Sequence, residues 1–166
     1  MEPLSGQVMD TSYRSPSGER VLRHEIVVPA TIEQVWTAFT TSEGLQSFVA
    51  PVAAVELKIG GYWETSYNPE AKIGDPGNIL NEIISYLPME MLSIRVAQAP
   101  PGFPLPDFGK SVWTVLQFQD LGNNRVRVIG TMLGWKDGPG WDQVYQIFTQ
   151  GNPHVLKSLY NLFAGK

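Results

Sequence analysis

The stretch SVWTVLQFQDLGNNRVRVIGTMLGWKDGPGWDQVYQIFTQGNPHVLKSLYNLF, Ser111 to Phe163, decides the architecture. Up to Leu133 its β-branched and apolar residues recur with a period of two on either side of Gly122-Asn123-Asn124. That is the pattern of two antiparallel strands joined by a short turn, Ser111–Leu121 and Arg125–Leu133. Gly138-Pro139-Gly140 then breaks the chain, and the period becomes helical. Trp141, Val144, Phe148, Val155, Leu159 and Leu162 fall on one stripe whose phase holds across Gly151-Asn152-Pro153. A stripe that keeps its phase predicts one continuous helix over Trp141–Phe163. A kink is expected near Pro153, whose ring removes a hydrogen bond and crowds the preceding turn.

Working outward toward the N-terminus, Gly77–Leu87 and Met91–Ala97 form a second hairpin around Pro88-Met89-Glu90. Val52–Ile59 and Gly61–Tyr67 form a third, turned at Gly60-Gly61, where glycine accepts a positive φ. Asn68–Pro76 is a loop, and Ala99–Gly109 holds four prolines, too many for a central strand. Arg20–Val28 reads as the first strand, ended by Pro29. Thr31 and Gln34 have the spacing of a capping box, and Ile32, Val35, Trp36 and Phe39 continue it as a helix to about Thr40. Ser42 is read as the cap of a second short helix carrying Leu45 and Phe48 and ended by Pro51. Residues 1–19 read as a flexible tail and 20–166 as a single domain. Hairpins in sequence imply an antiparallel sheet with its apolar face under the helices. The expected fold is therefore α+β and of the helix-grip kind. A curved antiparallel sheet of about seven strands wraps a long C-terminal helix, with two short helices after the first strand.

Composition narrows the function. The 166 residues carry 12 Lys and Arg against 16 Asp and Glu, for a net charge of −4, with no basic run. This argues against a nucleic-acid groove. Cysteine is absent, which removes disulfide, thiolate-metal and cysteine-nucleophile chemistry and fits a cytoplasmic setting. No apolar run reaches the roughly 20 residues a membrane-spanning helix needs. Met1–Gly18 carries Ser, Gly and Pro in place of an apolar signal core.

Three segments carry a family likeness: IVVPATIEQVWTAFTTSEGLQSFV (Ile26–Val49), LKIGGYWE (Leu57–Glu64) and GWDQVYQIFTQGNPHVLKSL (Gly140–Leu159). In that order they resemble the START/Bet v 1-like (SRPBCC) superfamily, in the branch of the C-terminal domain of the Hsp90 ATPase activator. The likeness spans roughly residues 20 to 164. It implies an apolar cavity between sheet and long helix, and members that bind lipids, polyketides or partner proteins.

The chemistry-bearing residues are sparse. Only His24 and His154 could join carboxylates around a metal, and they lie far apart in the chain, so no metal or other cofactor is expected. Both histidines read as surface or satisfied groups, His154 being the more interesting because it lies on the closing helix. Neither a nucleophile elbow nor a phosphate-binding loop is present. Glu64, Glu82, Asp137 and Asp142 are the carboxylates weighed for acid–base work, with solvent exposure as the plainer reading of each. Of the 18 aromatics, the set Trp36, Phe39, Phe48, Trp63, Tyr67, Trp135, Trp141, Tyr145 and Phe148 exceeds what a closed core of this size needs. The cavity lining read from the sequence is Trp36, Phe39, Phe48, Trp63, Thr65, Tyr67, Trp141, Tyr145, Phe148, Gly151 and Asn152. Trp135 is a further aromatic candidate, and Asn81 and Thr114 are further polar ones. Phe103, Leu105 and Phe108, in the proline-stiffened loop, are read as a lid, as a contact patch for another chain, or as part of a loop folded onto the core.

The sequence supports three functions, in order of preference. The first is a binding module for a hydrophobic, lipid- or polyketide-like small molecule. The second is a protein-interaction domain of chaperone-activator type. The third is a cyclase or hydrolase working in the same cavity. An enclosed cavity of ~300 Å³ or more with one buried carboxylate or histidine would favour catalysis, and a filled core with an exposed apolar patch would favour a protein partner.

Overall fold

The computed structural model describes residues 6–165. In chain order the elements are β1 (Met9–Asp10), β2 (Tyr13–Arg14), β3 (Arg20–Val28), α1 (Ile32–Thr40), α2 (Ser42–Phe48), β4 (Val52–Val55), β5 (Tyr62–Ser66), β6 (Ile79–Leu87), β7 (Met91–Gln98), β8 (Trp113–Gly122), β9 (Arg125–Leu133) and α3 (Pro139–Ala164). The strands pair antiparallel in the order β1-β3-β9-β8-β7-β6-β5-β4, with β2 also on β3. Register shifts between Leu80 and Asn81 and between Ile83 and Ser85 bend β6, which adds curvature to the sheet.

The two short helices start as their residues dictate. Thr31 Oγ1 accepts from Gln34 N–H and Gln34 Oε1 accepts from Thr31 N–H, so the capping box is complete. The second helix is capped one residue earlier than the sequence reading has it. Thr41 Oγ1 accepts from Gly44 N–H at 3.0 Å, while Ser42 Oγ accepts from Val55 N–H and ties α2 to β4. Val35, Trp36, Phe39, Leu45 and Phe48 are buried in the larger of two apolar clusters, together with Ile83, Leu92, Phe118, Val126 and Val128.

Three expectations change on contact with the structure. Residues 1–5 of the expected flexible tail lie outside the described residues, but the rest of that segment is paired: Met9 stands opposite Glu25, Asp10 opposite His24 and Tyr13 opposite Val21. Lys157 Nζ donates to Gly6 O, so the segment is also pinned to α3. Short strands separated by polar residues have no hydrophobic period of their own, and only the partner edge of β3 orders them. The strand expected over Val52–Ile59 ends at Val55. Beyond it Gly60 N–H donates to Ile83 O and Ile83 N–H to Gly61 O, so the turn docks on β6. Its positive φ belongs to Gly60 (+82°) alone. Gly61 is needed because a Cβ there would run into Glu56 O. Finally, α3 begins at Pro139, which needs no N–H partner in a first turn, and continues unbroken through Pro153.

The start of α3 is clamped to β3. Arg20 bonds Asp142 Oδ1 at 2.8 Å and Lys136 O at 2.7 Å, and its guanidinium lies 4.7 Å from the Tyr145 ring centroid. Asp142, in the first turn, also suits the positive end of the helix dipole. Among the described residues no helix is long and apolar enough to cross a membrane.

Candidate ligand cavity

Strand alternation places one set of residues on the helix-facing side of the sheet, and the pairings set them side by side. Trp63 stands opposite Asn81 and Asn81 opposite Val96. Ile94 stands opposite Thr114 and Thr114 opposite Met132. Leu116 stands opposite Gly130 and Gly130 opposite His24. These residues, drawn from β3 and β5–β9, floor a cavity of about 330 Å³ that Ile147, Phe148, Gly151, Asn152, Val155 and Leu156 of α3 roof. Tyr67 and Ile147, both well exposed, stand at its mouth.

Of the residues chosen from sequence, the cavity brings together Phe39, Trp63, Thr65, Tyr67, Phe148, Gly151 and Asn152, along with Asn81 and Thr114. Five aromatics, Trp135 among them, lie elsewhere. Trp36 packs edge-on against Phe118 and tilts onto Tyr86, and Phe48 packs edge-on against Phe39. Tyr145 packs edge-on against Trp135, and Trp141 lies under Lys136 Nζ. All five serve as packing for the helices, because large rings fill the space where elements meet closely.

The proline-rich loop is folded inward. Phe103 and Phe108 stack with centroids 5.3 Å apart, Phe108 reaches Phe148 at 5.5 Å, and both line the cavity. Leu105 instead covers Gly140, where an added Cβ would come within 3.2 Å of its Cδ2, and so packs the start of α3.

The sequence reading missed His24. It is 2% exposed, lines the cavity, and its Nδ1 has no hydrogen-bond partner. Its Nε2 lies 3.7 Å from Asp10 Oδ2. Burial lowers the His24 pKa, and the Asp10 charge offsets part of that shift. The available signal was its place in the alternation: Leu22, His24, Ile26 and Val28 share one face of β3, and that face is the core face. His154 lies exposed on α3.

The weighed carboxylates have other work. Glu64 accepts from Asn78 Nδ2 at 2.7 Å and from Gly74 N–H, holding the loop before β6. Glu82 pairs in register with Arg95, Asp142 binds Arg20, and Asp137 is exposed. No carboxylate lines the cavity among the described residues, and no group of three or more His, Asp or Glu there could hold a metal.

A sheet gripping a long helix over a lined cavity defines an α+β helix-grip domain. The chain belongs to the family described as Activator of Hsp90 ATPase homolog 1-like protein, whose model matches residues 29–164. Solved structures share the fold at low identity. Protein MLL2253 from Mesorhizobium loti aligns with a TM-score of 0.69 at 16% identity, covering 89% of this chain and 98% of that one. The Aha1 dimer from Colwellia psychrerythraea aligns at 0.65 and 19%, covering 88% and 98%. CalU16 from Micromonospora echinospora aligns at 0.66 and 16%, covering 100% and 79%. No curated protein matches the chain significantly.

Proposed function

We propose that this protein binds a hydrophobic small molecule, lipid- or polyketide-like, between its sheet and its C-terminal helix. The observation that carries the reading is the cavity between the sheet and α3, on whose helix wall Gly151, an exposed residue with nothing within 4 Å of an added Cβ, withholds a side chain. The volume, about 330 Å³, is that of a small-molecule site, and the walls combine apolar side chains with a few polar ones. The buried His24 speaks for catalysis as well. The carboxylate beside it, Asp10 at 3.7 Å from Nε2, lies outside the lining, so the described residues aim no acid–base pair into the cavity, which is open at Tyr67 and Ile147. Binding is therefore the reading best supported.

Gly151→Leu tests it. The native protein should bind a naphthalene-sulfonate dye and a fluorescent fatty-acid analogue saturably, with quenching of emission from Trp63, which lines the space. The variant should bind both at least roughly tenfold more weakly while its thermal midpoint holds or rises. A variant destabilised by ~1–3 kcal/mol would mean that the space is already packed. Failure of several unrelated apolar probes to saturate the native protein would remove the reading altogether.

A further inference from the structure

Two residues of the cavity wall, His24 and Trp63, each carry a buried ring nitrogen with no hydrogen-bond partner. A buried polar atom without a partner is costly, and where such an atom belongs to a cavity wall a water or a ligand group can supply the partner. For His24 the missing partner can be specified. The imidazole is held neutral by burial and therefore carries one N–H. The Asp10 carboxylate stands 3.7 Å from Nε2, and a negative charge on that side favours the tautomer with its N–H there. Nδ1 is then a bare lone pair, an acceptor lacking a donor.

The neighbours complete a small polar corner. Directly opposite His24 is Gly130, which puts no side chain into the cavity. Two residues along the same face of β9 is Met132, whose Sδ accepts from Asn152 Nδ2 at 3.3 Å. A thioether is a weak acceptor, so that amide N–H is free to be outbid. An added Cβ at Gly130 would meet Leu116 Cδ2 at 3.7 Å, and beside this small position the same cavity wall offers an acceptor on His24 and a donor on Asn152. A hydroxyl satisfies both at once, because its O–H donates and its lone pairs accept.

We propose that His24, Gly130 and Asn152 form a hydroxyl-recognition subsite, and that the occupant is an apolar molecule bearing an alcohol or phenol group. This rests on the cavity being a binding site. The choice of probes separates the two ideas: 2-naphthol and naphthalene differ only in the hydroxyl. The native protein should bind 2-naphthol roughly tenfold more tightly, the worth of one buried hydrogen bond. His24→Leu should abolish that preference, so that the variant binds 2-naphthol and naphthalene with equal affinity. Equal affinities in the native protein would overturn the subsite and leave the cavity reading intact. Binding of neither would take down the cavity reading and the subsite with it. Should His24→Leu fail to fold, imidazole nitrogen NMR of the native protein decides, helped by the chain having only two histidines. Saturation with 2-naphthol should shift the His24 Nδ1 resonance, naphthalene should leave it in place, and exposed His154 should respond to neither. An unmoved Nδ1 at saturation would refute the subsite.

Discussion

Beneath α1 and α2 the sheet is sealed, while beneath the middle of α3 it is hollow. On the sealed side Phe39 reaches Phe48 at 5.1 Å and Phe118 at 5.2 Å, and Trp36 meets Phe118 at 5.8 Å. On the hollow side Gly151 and Asn152 face a floor that includes Gly130 and Thr114. Both sides contain aromatics, so the rings do not distinguish them. What differs is where side-chain volume is withheld. Aromatics close gaps between elements, and a cavity persists where the facing positions carry small or polar residues.

The comparison breaks most decisively at Trp36. Trp36→Ala should cost about 3–5 kcal/mol, read as a fall in the urea midpoint, and the folded variant should keep the dye affinity of the native protein. Lost affinity in the folded variant would mean that the two sides share one site.

A smaller effect is expected at the β4–β5 turn. Gly61→Val places a Cβ against Glu56 O and should destabilise by ~1–3 kcal/mol, measured by thermal unfolding, with binding unimpaired. An unchanged midpoint with binding lost would transfer the turn to the binding side.

The smallest effect sharpens the contrast through pH. The folded-state pKa of His24 lies below its ordinary value near 6.5, so below that pH the unfolded chain binds the extra proton more readily. Unfolding free energy should therefore fall as pH drops from 7 toward 5. The charged group facing the ring is Asp10, whose own pKa is lowered by hydrogen bonds from Ser12, so it stays ionised across that window. His24→Gln should flatten the slope in urea titrations, and an identical slope in the variant would place its origin elsewhere.

Periodicity made most of the fold legible. The hairpins, the capping box at Thr31 and the unbroken phase of α3 are local patterns, and each appears in the structure. The short strands β1 and β2 could not be read, since their order comes from β3 and not from their own residues. At the cavity, Gly151 and Asn152 were legible as a gap in an apolar stripe. Trp141 and Tyr145 lie on α3 like Phe148, but which helical faces meet the hollow depends on how the Arg20 clamp sets the helix on the sheet. His24 was hidden for a different reason: alternation puts it on the core face with Leu22, Ile26 and Val28, but a single histidine there looks the same whether its ring is packed or meets a cavity.

The N-terminal pairing has a consequence for solubility. At one border of the sheet lies β4, only four residues long; at the other, β1 and β2 cover parts of the nine-residue β3. Without β1 and β2 the Arg20–Val28 strand would present a long row of unpaired amides and carbonyls, rich in valine, isoleucine and leucine, as a template for other chains. The two short strands thus act as a guard against self-association, and a chain trimmed to Glu19 should scatter light at concentrations where the intact one stays clear.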